Sequence, residues 1–137
     1  MGKAGNAHLV KLIHNQLAHA TFLANCEAVV LGEKFSLSLD SMIGVFNPGT
    51  PRSYSTEVRF PKFIIPKSFN MGATFATVFR DLSLVNKLKK RAGLKLPITT
   101  NADSYYKYTM RAKCKNDESI GNISDADMGV DQCFNYK

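Results

Sequence analysis

The sequence predicts an all-α fold, and three observations carry that reading. Apolar residues recur at helical spacing through residues 8–31, 74–92 and 97–113. Gly32, Gly93 and Pro97 stand where helices of that length should stop or start. No segment alternates apolar and polar side chains as a half-buried strand does. The 137 residues suffice for one domain with a moderate core, and 45% apolar with 21% charged residues argue against disorder of the whole chain.

The first helix is expected from His8 to Leu31. Leu9, Ile13, Leu17, Ala20 and Ala24 form one apolar stripe, which Val10, Phe22, Val29 and Val30 widen. A helix apolar on nearly every side must be covered by several neighbours or by a partner chain. Gly32 is the expected stop. A short helix fits Leu39 to Phe46, with Ser38 or Asp40 near its start. Asn47-Pro48-Gly49-Thr50-Pro51 is a turn cluster. From there to Gly72, Pro61 and Pro66 are expected to prevent regular structure, while Phe60, Phe63, Ile64 and Ile65 pack the segment onto the core.

A second long helix fits Thr74 to Ala92. Phe75, Val78, Phe79, Leu82, Val85 and Leu88 keep its apolar spacing, and Gly93 ends it. Pro97 opens a last helix, to about Lys113. Beyond Cys114 the chain is polar and acidic, with Asp117, Glu118, Asp125, Asp127 and Asp131, and weak order is expected there. The predicted organisation is therefore a helical domain over residues 1–120 and a divergent tail over 121–137.

The net charge is +7, concentrated in Lys87, Lys89, Lys90, Arg91 and Lys95. Cations at a helix C-terminus favour the helix dipole, and no interleaved aromatic residues or nucleic-acid motif support a nucleic-acid partner. No apolar run is long enough to cross a membrane, and the N-terminus lacks a signal-peptide layout. Cys26, Cys114 and Cys133 are an odd number without metal-ligand spacing, which points to a cytoplasmic chain with thiols and no metal.

Lys11 and Asn15 are the strongest candidates for chemistry. They lie one turn apart on the same helix face, and His8 and His19 extend the polar seam along an otherwise apolar helix. Burying such a seam without partners is costly, so it is expected to line a cleft or a water-filled contact, the plainer alternative being that it solvates one side of an interface helix. A lysine partly desolvated there can work as an acid or base, and Asn15 can hold a hydroxyl. The three histidines, His8, His14 and His19, lack the spacing of a metal site. Arg80-Asp81 reads either as a solvated pair or as a reach toward a phosphate or carboxylate. Arg52 with Ser53 reads as a loop charge with a local hydrogen bond.

The order of these motifs resembles the C-terminal domain of the β-hydroxyacid dehydrogenases, the family of 3-hydroxyisobutyrate dehydrogenase and tartronate semialdehyde reductase. That family carries Gly-x-x-Gly-x-Gly-x-x-x-Lys-x-x-x-Asn at its domain junction. Gly2, Gly5, Lys11 and Asn15 match it, with Ala7 in place of the third glycine. Glu27-Ala28 and Leu31-Gly32 resemble the end of the same helix. Arg52-Ser53-Tyr54 and the run from Thr56 to Pro61 resemble the family's Ser-Gly-Arg-Ser loop and the segment after it. Residues 72–82 resemble the Gly-Phe…Lys-Asp-Leu helix, and Leu96-Pro97-Ile98 opens the last helix as the family does. Pro51 stands where the family has glycine, Ala73 where it has phenylalanine and Arg80 where it has lysine. The likeness fades after Glu118.

The resemblance implies a 6-phosphogluconate-dehydrogenase-like helical domain without its Rossmann domain. It implies hydride exchange between NAD or NADP and a small hydroxy acid, with Lys11 as the catalytic lysine, Asn15 holding the substrate and Arg80 on the cofactor side. A homodimer through the first long helix is expected. No cofactor binding and no turnover are expected of this chain alone. The alternative is a non-enzymatic helical dimerisation module, or a degenerate remnant of such an enzyme.

Overall fold

The structure is a computed structural model that describes residues 5–68, 71–72 and 75–114. Its described elements are all helical. Helix α1 spans Asn6–Lys34 and α2 Leu39–Phe46; a π-helical segment covers Ser55–Ile64; α3 spans Phe75–Arg91 and α4 Pro97–Cys114. Helix α1 packs against every other element. Its inner face carries Leu12, His19, Phe22, Cys26 and Val29. Phe22, Cys26 and Val29 share one core with Met42 and Ile43 of α2, Phe60 and Ile64 of the π-helix, Val78 and Leu82 of α3, and Ala102 and Tyr106 of α4.

Gly32 is not a helix stop. It is a buried position inside α1 where α2 comes close: a Cβ built there would meet Met42 Sδ at 2.2 Å. The helix runs on to Lys34 and is closed by Ser36 in the left-handed region, φ 63°. The Leu37 amide reaches the Gly32 carbonyl at 3.1 Å and the Ser36 amide reaches Glu33 at 3.0 Å, a Schellman closure. Helix α3 ends as expected. Gly93, φ 65°, takes the left-handed position, and the Leu94 amide bonds the Lys89 carbonyl at 3.1 Å. Helix α2 matches its expected bounds and is capped by Ser38, whose hydroxyl accepts from the Ser41 amide at 3.2 Å.

The larger correction lies between Pro51 and Pro66. The segment expected to be irregular forms ten residues of π-helix with Pro61 inside it. In that register the carbonyl of Thr56 faces residue 61, which has no N–H to give. Asn47 fills the vacancy: its Nδ2 donates to the Thr56 carbonyl at 3.2 Å. The entry is fixed by side chains too. Ser53 Oγ accepts from the Thr56 amide at 3.3 Å, and Thr56 Oγ1 accepts from the Ser53 amide at 2.9 Å. Asn25, buried on α1, donates to Ser53 Oγ at 3.0 Å and ties this start to the central helix. At the far end the Ile65 amide reaches back five residues to Phe60, at 2.9 Å. Phe60 and Ile64 are thereby buried as the sequence requires, though by a helix rather than a loop.

Gly2, Ala73 and residues 115–137, including the tail expected at 121–137, lie outside the described residues.

Candidate functional site

The middle of α1 carries polar residues over two turns, and the structure turns that seam into one wall of a cleft. A cleft of about 500 Å³ is lined by Lys11, His14, Asn15, Ala18 and His19 from α1. Tyr54 and Arg59 close it from the π-helix and its lead-in, and Thr77, Val78 and Asp81 from α3.

Asp81 organises this wall. It is buried, and both carboxylate oxygens are engaged. Oδ2 accepts from Asn15 Nδ2 at 2.7 Å, and Oδ1 accepts from Arg80 Nε at 3.3 Å and Nη2 at 3.2 Å. A carboxylate only accepts, so the contact fixes which end of the Asn15 amide faces Asp81. The second Nδ2 hydrogen and Oδ1 of Asn15 make no further hydrogen bond among the described residues. Lys11 stands one turn away on the same face and is solvent-exposed at the rim. The desolvation expected for this lysine is not supplied by the described residues.

His19 lies deeper. It is 6% exposed, and its ring meets Tyr106 edge-on at 5.8 Å. Its pKa is lowered from 6.5 to about 4, first by burial and then by the positive charge of Arg59, with Asp81 acting in the opposite direction. His19 is therefore a neutral polar group near neutral pH. Its Nδ1 is buried and has no hydrogen-bond partner among the described residues.

Arg59 lies beside two aromatic rings. Its guanidinium carbon lies 5.0 Å from the Phe22 ring centroid and 5.9 Å from that of Tyr54. No carboxylate among the described residues pairs with it, and its Nη1 is buried without a partner. Sequence reading does not single out Arg59. The π-helical register brings it over Phe22 and into the lining of the cleft, and no local sequence pattern announces that register.

The structure separates the candidates. Lys11 and Asn15 share the cleft. Arg80 does not line it; its side chain is 68% exposed and reaches the site through Asp81. The Arg80-Asp81 pair is not simply solvated, because the Asp81 partner is buried. His8 is exposed and outside the cleft, whereas His14 lines it. Arg52 pairs with Glu57 at 3.5 Å on the surface, and the Ser53 hydroxyl is taken up by Thr56 next to it and by Asn25 of α1. No group of His, Cys, Asp and Glu that could hold a metal is found among the described residues.

A known family matches this chain over the stretch that builds the helices and the lysine–asparagine cleft. The family described as NAD-binding of NADP-dependent 3-hydroxyisobutyrate dehydrogenase matches residues 5–122. The chain belongs to that family, the β-hydroxyacid dehydrogenases. It is 29% identical over 106 residues to 2-(hydroxymethyl)glutarate dehydrogenase of Eubacterium barkeri, covering 77% of this chain and 35% of that protein. It is 27% identical over 111 residues to the cytokine-like nuclear factor N-PAC of Drosophila melanogaster, covering 81% of this chain and 18% of that protein. With a probable mitochondrial 3-hydroxyisobutyrate dehydrogenase of Arabidopsis thaliana it shares 25% over 112 residues, 77% of this chain and 32% of that protein. The chain thus spans about a third or less of the length of these relatives.

Proposed function

We propose that this chain is the helical substrate-binding and dimerisation domain of an NAD(P)-dependent hydroxyacid dehydrogenase, with residues 1–120 forming that domain. The observation that carries the reading is the Lys11–Asn15 pair in one cleft, with the Asn15 amide oriented by Asp81 at 2.7 Å. Asn15 donates its second amide hydrogen to the substrate's hydroxyl oxygen. The hydroxyl hydrogen is then left for Lys11, which accepts it as the carbinol carbon is oxidised and returns it in reduction. A nicotinamide cofactor, when bound in the whole enzyme, would supply hydride exchange with that carbon. Arg80 keeps most of its side chain in solvent beside the cleft, which suits contact with a phosphate-bearing group over α3. The 137 residues alone are proposed neither to bind NAD(P) nor to turn over. The proposed compartment is the cytoplasm; the described helices include none long and apolar enough to cross a membrane.

One relative favours a second reading. The nuclear factor N-PAC is not named as a dehydrogenase, so family membership is compatible with a helical module that only assembles.

The experiment joins this chain to a nucleotide-binding domain of the family and follows reduced nicotinamide with small hydroxy acids. Turnover that falls about a hundredfold or more in Lys11→Ala supports the enzyme. Lys11→Arg is expected to fail as well, because a guanidinium does not give up its proton. Equal activity of the Lys11→Ala protein defeats the assignment.

A further inference from the structure

The corner between α3 and α4 gathers cations and exposed leucines in one place. From Leu82 to Ala102 the sequence holds Lys87, Lys89, Lys90, Arg91 and Lys95 and no acidic residue. Lys87, Lys90 and Arg91 share one face of the last turns of α3, and Lys95 follows in the connection to α4; all four are exposed. No carboxylate among the described residues pairs with any of them. Lys89 is used differently: it donates to Thr100 Oγ1 at 2.6 Å and ties the start of α4 to α3. The helix dipole favours cations in the last turn, but it accounts neither for Lys95 nor for the side chains on either side of it. Those are Leu94 and Leu96, 55% and 38% exposed. The turn holds Leu94 in place, since Gly93 takes the left-handed position and the Leu94 amide bonds back to the Lys89 carbonyl at 3.1 Å.

We propose that this corner is a docking surface for an anionic lipid bilayer. Cations alone would suit any polyanion. The leucines between them call for a partner that is anionic at its face and apolar beneath. Lysine and arginine meet the lipid headgroups while the leucine side chains enter the boundary of the hydrocarbon. A nucleic acid offers the charge but gains from aromatic stacking, and no aromatic residue lies between Phe79 and Tyr105. A second copy of the corner would set like charges against each other. Arg91 stands about 15 Å along α3 from Asp81. Docking there uses neither Lys11 nor Asn15, so this surface is independent of the dehydrogenase reading.

The test is partitioning of the 137-residue chain onto vesicles. Binding is expected to mixed phosphatidylserine and phosphatidylcholine at low salt, to be lost at high salt, and to be absent from phosphatidylcholine alone. Lys87→Gln and Lys90→Gln are each expected to weaken it about fivefold. Lys34→Gln, in the last turn of α1, should bind as the parent does. The chain has no tryptophan, so Leu94→Trp supplies a single reporter whose emission should move to the blue on anionic vesicles. Leu94→Gln should weaken partitioning with every charge intact. No partitioning of the parent at low salt overturns the proposal without any variant, and does so even if the acidic residues between Asp117 and Asp131 are what hold the corner. Binding with no blue shift in Leu94→Trp, or equal weakening by Lys34→Gln, also overturns it, since the chain would then adhere through net charge alone. Retention by a single-stranded oligonucleotide without vesicle binding would mark a nucleic-acid surface and overturn it as well.

Discussion

His19 and Lys11 show how differently two polar residues on one helix can be placed. Above its ordinary pKa of 6.5, His19 is neutral in both the folded and the unfolded chain. Between 6.5 and about 4 the unfolded chain takes up a proton that the buried ring refuses. The unfolded state then binds more protons, so stability rises with pH through this window and is lost on acidification. Urea unfolding should give a stability lower by about 2 kcal/mol at pH 5 than at pH 7.5 from this group. In His19→Phe, which keeps the ring against Tyr106, that part of the pH dependence should vanish; an unchanged slope would mean that His19 is solvated. Lys11 is exposed at the rim, so Lys11→Ala should change the stability of the chain by less than about 1 kcal/mol, measured in the same unfolding experiments. A larger loss would mark a structural lysine. At this scale Lys11 and Asn15 are legible in the sequence because polar residues one turn apart on an apolar helix stand out. Arg59 is not, because its position depends on the Phe22 and Tyr54 rings, which are far from each other in sequence.

The elements are legible where a local rule decides them. Ser38 capping α2, Gly93 closing α3 and Pro97 opening α4 each act within one turn of the chain, and the structure bears out all three. Gly32 misleads because its role is set by Met42, ten residues on, and not by the helix it belongs to. The π-helix escapes sequence reading for the same reason: it tolerates Pro61 only because Asn47, outside the segment, satisfies Thr56. The Gly32 contact makes a prediction against helix propensity. Alanine in a helix interior gains about 1 kcal/mol over glycine. Here the added Cβ would overlap Met42 Sδ, and overpacking costs about 1–3 kcal/mol. Gly32→Ala should therefore be destabilising by up to about 2 kcal/mol in chemical denaturation. In a Met42→Ala background the same change should be neutral or stabilising, because the overlap is gone. A stabilising Gly32→Ala in the parent would show that the Met42 thioether swings aside at little cost.

At the scale of the whole molecule the open question is what covers the outer face of α1. The core face uses Leu12, Phe22, Cys26 and Val29, all buried. The stripe of Leu9, Ile13 and Leu17 lies on another face and is 41%, 53% and 63% exposed. It continues through Ala20 and Ala24 into a shallow groove of about 230 Å³ shared with Ile98, Ala102 and Tyr105 of α4. Ile98 is itself 71% exposed. Monomeric proteins seldom leave so continuous an apolar strip in water, and a twofold pair of α1 helices would bury the same strip on both partners. The proposed dimer makes a definite demand. Light scattering should give twice the chain mass at micromolar concentrations and above, and the thermal midpoint should rise with protein concentration. Leu17→Glu places a charge in the middle of the proposed interface but at a position exposed in the single chain. It should yield monomers of unchanged helix content, with a midpoint that no longer depends on concentration. A monomer mass for the parent chain at every concentration would defeat the dimer. The stripe would then be a surface of the isolated domain that α1 does not present to a second copy.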